Sequence, residues 1–498
     1  MKYRNRVFAS ILAAMLFVSA CSKTGGQNAS SKKGATQLEF SIENLKTLNG
    51  VKNVETIEAL SGGASKGVGD LFANADDYNL LLTFEQPLDW ADPAKGTFDQ
   101  RVHICYSASR TTNEFQVGGY MLSDSSFPLG SSIDGYASAN KYNLIEVEYR
   151  YFGKSRPEGL SNTDPKYWDS LTSANAAGDF HHILDELKKI IPGKWLMTGS
   201  SKGGVATMIQ SMYYPEDADM YMAQIAPFMD GQQDNRFFKN IYETIGDEKY
   251  GKDQAAAYRK LVQDFQVEAI VNRDALQDKV YEYRMSHGGQ YAAFTTPEIL
   301  YDITVLDFAT GVWQVEQNFD AIQAVLDLKD QDDYQDQLLS LLLDPNGTNQ
   351  RENVTQVEAD LTAYFVQCAK DLGYYKYDFS YLRKALAADG RDGKLVITED
   401  MEDMLFYNLY LEPEVLNTLK YDPSVRNGIL EWSKNTSSNV LLLYGGTDVW
   451  YSLRIPDVPD RGNFHTYVDV NSSHKGVITH LSWAQQEEIK KLMKDALT

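Results

Sequence analysis

The stretch Pro192-Gly193-Lys194-Trp195-Leu196-Met197-Thr198-Gly199-Ser200-Ser201-Lys202-Gly203-Gly204 passes from a turn, through a short apolar run, into a glycine-rich bend. Its apolar centre predicts a buried strand over residues 194–198, and the spacing beyond the bend predicts a helix over 202–214. Between the two, Gly199-Ser200-Ser201-Lys202-Gly203 fits G-x-S-x-G with Ser201 in the middle. Strand, sharp turn and helix together form the setting that lifts a serine hydroxyl above the end of a sheet as a nucleophile. The turn is tight, so small residues must flank the serine, and Gly199, Gly203 and Gly204 supply them. The helix that follows points its N-terminus, and the positive end of its dipole, at the hydroxyl.

Outward from this bend the chain alternates strands and helices. Apolar runs predict strands at 78–85, 98–107, 115–122 and 142–149, a helix at 170–190, and a strand at 221–227. From 231 to 434 the alternation stops, and stretches such as 253–274 and 314–343 have helical periodicity with many Asp, Glu and Gln. Strand patterns return at 439–444 and 464–470, and a closing helix is expected at 484–496. Strands alternating with helices imply a largely parallel sheet with crossovers. The fold class is therefore α/β: an α/β-hydrolase fold with a large, mainly helical cap insertion. Its expected parts are residues 37–230 and 435–498 for the hydrolase domain and 231–434 for the cap. Residues 37–75 carry no clear element and read as a short extension.

A serine hydroxyl needs a base, and the base needs an orienting carboxylate. In this fold they follow the serine in the order acid, then histidine. Asp448 stands just past the strand at 439–444, after the turn Gly445-Gly446-Thr447, where sites form at the carboxyl end of parallel strands. The chain has 7 histidines. His474 lies in a turn-rich loop after the last strand and is the expected base; His480 is its rival, and His465 falls within the strand. His181 and His182 are adjacent on a helix, about 100° apart, and cannot readily share a metal. The oxyanion of a tetrahedral intermediate needs donors. The backbone N–H of Lys202 is the expected first donor. The second is expected either from the loop Gly118-Gly119-Tyr120 or from the segment around Glu148 and Tyr151, and the sequence leaves both open. A Glu148–Arg150 ion pair is the structural alternative for that segment.

Composition bounds the rest. The chain has 498 residues, 43 % hydrophobic and 23 % charged, long enough for two domains or one with a large insertion. A formal net charge of −22 argues against nucleic-acid binding. At the N-terminus Lys2, Arg4 and Arg6 precede an apolar run to Val18, and Val18-Ser19-Ala20-Cys21 closes it. Such a segment reads as a secretory signal over 1–20. Val-Ser-Ala-Cys also resembles the bacterial lipobox, which makes Cys21 the expected lipidation site and residues 21–36 a flexible tether. Ser22 after it resembles outer-membrane sorting, on the periplasmic or the surface face. The membrane is thus an expected partner through the lipid anchor. Cys105 and Cys368 could form a disulfide or remain free thiols. No cofactor or metal is called for.

At the nucleophile block the chain closely resembles the bacterial S37 serine peptidases of PS-10 type, the secreted tripeptidyl aminopeptidases. The likeness extends through Glu148-Tyr149-Arg150-Tyr151-Phe152-Gly153 and back to Phe84-Glu85-Gln86-Pro87, and is thinner beyond residue 230. The family is similar to the S28 prolyl carboxypeptidase and dipeptidyl peptidase group, in which a helical insertion caps the site. The resemblance implies a serine exopeptidase that takes peptide substrates by their free N-terminus and releases short peptides, tripeptides among them. Relatives commonly carry Glu-His-Arg where this chain has Glu148-Tyr149-Arg150, a departure from the family's pattern next to the expected site. A carboxylate-rich cap suits an ammonium-bearing substrate. Two rivals stand beside this reading: an esterase or lipase on the same fold, and a non-catalytic peptide-binding surface lipoprotein.

Overall fold

The computed structural model describes residues 38–57, 77–122, 140–159, 161–314, 317–345, 361–391, 393–456, 458–475 and 478–498. The expected signal, Cys21 and the tether lie outside the described residues. Residues Glu39–Thr498 form one compact unit.

Among the described residues, one sheet contains β1 (Val51–Thr56), β2 (Tyr78–Pro87), β3 (Thr97–Tyr106), β4 (Thr112–Val117), β5 (Asn143–Val147), β6 (Lys194–Ser200) and β7 (Met220–Gln224). Two later strands complete it, β10 (Val440–Gly445) and β11 (Phe464–Asp469). The order is β1-β2-β3-β5-β4-β6-β7-β10-β11. The β1–β2, β2–β3 and β3–β5 pairs are antiparallel; every pair from β5 through β11 is parallel. This is the arrangement of an α/β-hydrolase.

The run Val440-Leu441-Leu442-Leu443-Tyr444 shows why the centre reads as continuous hydrophobicity. Side chains alternate faces along a strand. Val440, Leu442 and Tyr444 pack with Val205, Met208 and Ile209 of the helix Lys202–Tyr213. Leu441 and Leu443 pack on the other face with Ile489 and Met493 of the helix Trp483–Leu497. Both faces are covered, so no polar position interrupts the strand. β1 was not anticipated. It is an edge strand whose inner face holds only the half-buried Val51 and Val54, between exposed Lys52 and Glu55. Charge on an edge guards against further pairing and hides the strand's pattern.

Between β7 and β10 the chain is mainly helical, with one small parallel pair, β8 (Gln233–Asp234) and β9 (Tyr374–Tyr375). The helix Pro297–Gln314 is apolar almost all round and buried by its neighbours. The helical run expected over 314–343 is broken: one helix ends at Gln314, and Phe319–Leu326 and Tyr334–Leu343 follow. The helix Ser424–Asn435 falls inside the expected cap, yet it packs on Lys202–Tyr213 through Val425, Ile429 and Trp432 and so belongs to the layer beside the sheet. Among the described residues no helix is long and apolar enough to cross a membrane.

Candidate active site

Ser201 stands between β6 and its helix with φ 53 and ψ −120. A non-glycine residue at positive φ is strained by roughly 1–3 kcal/mol and persists only where its surroundings enforce it. Here the Ser201 N–H donates to the Gln224 carbonyl of β7 at 2.9 Å, and the Val205 N–H donates to the Ser201 carbonyl at 3.0 Å. A Cβ on Gly203 would strike the Val117 carbonyl of β4, so only glycine permits this approach.

The acid and base lie along the same edge. Ile225 N–H donates to the Leu443 carbonyl at 2.7 Å, and Gly446 N–H to the Asp469 carbonyl at 2.7 Å. With Ser201 on Gln224, these bonds run as a ladder across β6, β7, β10 and β11 at their carboxyl ends. Asp448 follows β10, and His474 follows β11. Their loops are knit together by Thr447, whose N–H and hydroxyl both donate to the Ser472 carbonyl, at 3.0 and 2.9 Å. His474 Nδ1 is 2.7 Å from Asp448 Oδ2. The other Asp448 oxygen accepts the Trp450 N–H at 3.0 Å, and the carboxylate is buried. His474 N–H donates to the Gln314 carbonyl at 3.0 Å, so the last residue of the buried insertion helix fixes the base's backbone. His480 takes a different place: its Nδ1 is 3.1 Å from Ser472 Oγ and 3.7 Å from Asp469.

The structure separates the two sources considered for oxyanion donors. The Gly118–Tyr120 loop lies against the first turn of the Lys202–Tyr213 helix. Gly119 has φ +79, and a Cβ there would sit 2.7 Å from the Gly203 nitrogen. Glu148 and Tyr151, expected as the alternative, are scaffold residues. Glu148 is fully buried and accepts from Arg101 Nε at 3.0 Å, Leu122 N–H at 2.9 Å, Lys154 N–H at 3.0 Å and Ser155 Oγ at 2.6 Å. A carboxylate so committed has no capacity left for substrate. Tyr151 is buried between Tyr167 and Trp168, with ring centroids 5.2 and 5.8 Å away. The expected Glu148–Arg150 pair is also corrected. Arg150 makes a two-pronged pair with Asp179, at 2.7 Å for each bond.

The remaining candidates are structural in place. His103 bridges Glu146 at 2.9 Å and Asn79 at 2.7 Å, and His181 meets Asp217 at 2.8 Å. Cys105 and Cys368 are both buried free thiols. Among the described residues no three His, Cys, Asp or Glu side chains gather as a metal site. Sequence reasoning missed Gln314, Trp450 and the side chain of Lys202. Only Lys202 left a signal, as a charge set among glycines next to the serine.

Sheet order, the strained serine turn and the paired acid and base loops define an α/β-hydrolase. Within that class a family model described as PS-10 peptidase S37 matches residues 74–474. The chain belongs to this family and is a serine peptidase. It is similar to the prolyl tri/tetrapeptidyl aminopeptidase of Streptomyces mobaraensis, 25% identical over 375 residues that cover 74% of this chain and 69% of that protein. A shorter stretch of 92 residues is 34% identical to the lysosomal Pro-X carboxypeptidase of Homo sapiens, 18% of each chain. Among solved structures, the proline iminopeptidase of Mycobacterium smegmatis covers 83% of this chain and 99% of its own, at 12% identity and a TM-score of 0.35.

Proposed function

We propose that the protein releases short peptides, tripeptides among them, from the free N-terminus of oligopeptides, through an acyl-enzyme on Ser201. The observation that carries this is the hydrogen bond between buried Asp448 and His474 on the sheet edge that also holds the strained Ser201. In this reading His474 takes the Ser201 hydroxyl proton as the oxygen attacks the scissile carbonyl carbon. Asp448 holds the ring orientation and balances the imidazolium charge. The Lys202 backbone N–H, with an N–H of the Gly119–Tyr120 loop, stabilises the oxyanion. His474 then gives the proton to the leaving amine, and water repeats the sequence to free the acyl peptide.

Release from the N-terminus is supported by the Streptomyces mobaraensis relative, whose name describes that activity. The formal charge of −22 supports it too, since a negative surface draws in a substrate with a free ammonium group. The test is a panel of peptides with free and blocked N-termini, set beside p-nitrophenyl esters. Free peptides should be cut fastest, and Ser201→Ala should abolish both turnover and fluorophosphonate labelling. Preference for blocked peptides or esters would overturn the exopeptidase reading.

A further inference from the structure

The Lys202 side chain turns away from solvent into a box of rings. The residue is 2% exposed. Its ammonium nitrogen is 3.2 Å from the centroid of the Tyr149 ring, 4.9 Å from Phe152, 5.5 Å from Tyr120 and 5.9 Å from Tyr364. Its hydrogen bond goes to a backbone carbonyl, that of Gly119, at 2.7 Å. Burial pulls the Lys202 ammonium well below its usual pKa. Ring faces offset part of that desolvation, since their quadrupoles attract a cation. A long cationic side chain held inside the protein for one carbonyl needs an explanation, because the same bond on the surface would involve far less desolvation.

The carbonyl it holds explains it. The peptide unit is planar and trans, so its C=O and N–H point in opposite directions. Anchoring the Gly119 oxygen on Lys202 Nζ fixes the plane of the Gly119–Tyr120 peptide and so aims the Tyr120 N–H away from the ring box. The same loop rides on the first turn of the serine helix, with Gly119 packed on Gly203. Tyr120 is tied down again through its carbonyl, which accepts the Tyr149 N–H at 2.9 Å. We propose that the Lys202 side chain is a positioning residue that sets the Gly119–Tyr120 peptide plane and thereby makes the Tyr120 N–H the second oxyanion donor. One residue then serves the oxyanion twice, by its own N–H and by the peptide its ammonium holds. This rests on Ser201 being the nucleophile.

The prediction concerns transition-state binding alone. Displacing one donor by a fraction of an ångström weakens what forms in the transition state and leaves ground-state binding intact. In the full-length protein Lys202→Met should lower kcat by about 10- to 100-fold with KM within about threefold of wild type, below the loss expected for deleting a donor outright. Affinity for a peptide aldehyde, which forms a tetrahedral adduct, should fall in step with kcat/KM. Affinity for the carboxylate product peptide should stay within about twofold, a difference no general loosening would produce. Gly119→Ala disturbs the same peptide by a different route and should give the same signature; it serves if Lys202→Met does not fold. Unchanged aldehyde affinity in both variants, or equal losses for aldehyde and product, overturns the positioning role. Wild-type protein that does not label with fluorophosphonate at Ser201 would instead remove the nucleophile on which the proposal stands.

Discussion

The two flanks of Ser201 are built by different means. Towards β7, β10 and β11, the site loops are held by backbone bonds from strand to strand and from loop to loop. Towards β3, β4 and β5, the structure depends on buried charges: Glu148 on Arg101, Arg150 on Asp179, Lys202 on the Gly119 carbonyl, and Asp371 on Ser173. Backbone bonds do not depend on side-chain identity, so a side chain there can be changed for chemistry alone. The two ion pairs among these, Glu148 with Arg101 and Arg150 with Asp179, hold only as matched sets, because removing one partner strands the other in a medium that solvates it poorly. Activity and stability should therefore separate on the first flank and fall together on the second.

Asp448→Asn is the sharpest test of the backbone-built flank. The amide oxygen can still accept the Trp450 N–H, while its NH2 group faces His474 and favours the wrong tautomer. A loss of about 10⁴-fold in kcat is expected, as for the equivalent change in other serine peptidases. The urea midpoint should barely move, because the ladder Ser201–Gln224, Ile225–Leu443 and Gly446–Asp469 is untouched. A large fall in stability alongside the lost activity would break the contrast between the flanks.

Arg150→Met probes the charge-built flank. The guanidinium donates to Asp179 and to the carbonyls of Leu88 and Ser170, at 2.8 Å each, and to that of Pro87 at 3.2 Å. Asp179 is held above its usual pKa by burial, against the pull of Arg150, so its charge is expensive even when paired. Removing the arginine should destabilise the fold by about 3–5 kcal/mol, measured by urea denaturation. Arg150→Met combined with Asp179→Leu should recover much of that loss, since no carboxylate is then left alone. A double variant no better than the single one would mean that the three carbonyls, not the carboxylate, carry the cost.

The same division explains how much could be read from the sequence. The parallel core was legible because its strands are short apolar runs between helices. The Ser201 turn was legible because a tight bend at a strand end admits few residue types. Order along the chain then picked Asp448 and His474. The charge-built flank was not legible: Glu148-Tyr149-Arg150 invites a local ion pair, yet the strand ends at Val147 and in the irregular backbone beyond it each charge finds a partner far away in sequence, Glu148 on Arg101 and Arg150 on Asp179. Arg101 and Asp179 had no local mark that named them. β1 was hidden because only Val51 and Val54 of its six residues carry an inward apolar pattern. The bond between Gln314 and His474 joins backbone to backbone, and no residue identity announces it.

Asp371 gives the smallest effect and the finest test of the contrast. It lies in the insertion, and its carboxylate accepts the Ser173 N–H at 2.7 Å and the Ser173 hydroxyl at 2.9 Å, at the start of the helix Ser173–Leu187. A helix N-terminus favours a carboxylate. Burial outweighs this, and the Asp371 carboxyl is pushed up to about 6, with Asp422 adding to the rise and Lys370 opposing it. Its ordinary value is 3.8. Between the two values the folded chain keeps the proton and the unfolded chain releases it. Each unit of rising pH in that window thus removes stability, up to roughly 3 kcal/mol in all, and above about 6 the penalty is constant. Asp371→Asn cannot ionise. It loses a stronger acceptor at every pH but escapes this penalty, so its stability relative to wild type should improve as pH rises from 4 to 6.5 and then level off. Urea denaturation of both proteins across that range reads the difference directly. A gap that stays constant with pH would mean that the folded protein solvates Asp371 as well as water does, and that buried charge is not what distinguishes this flank from the other.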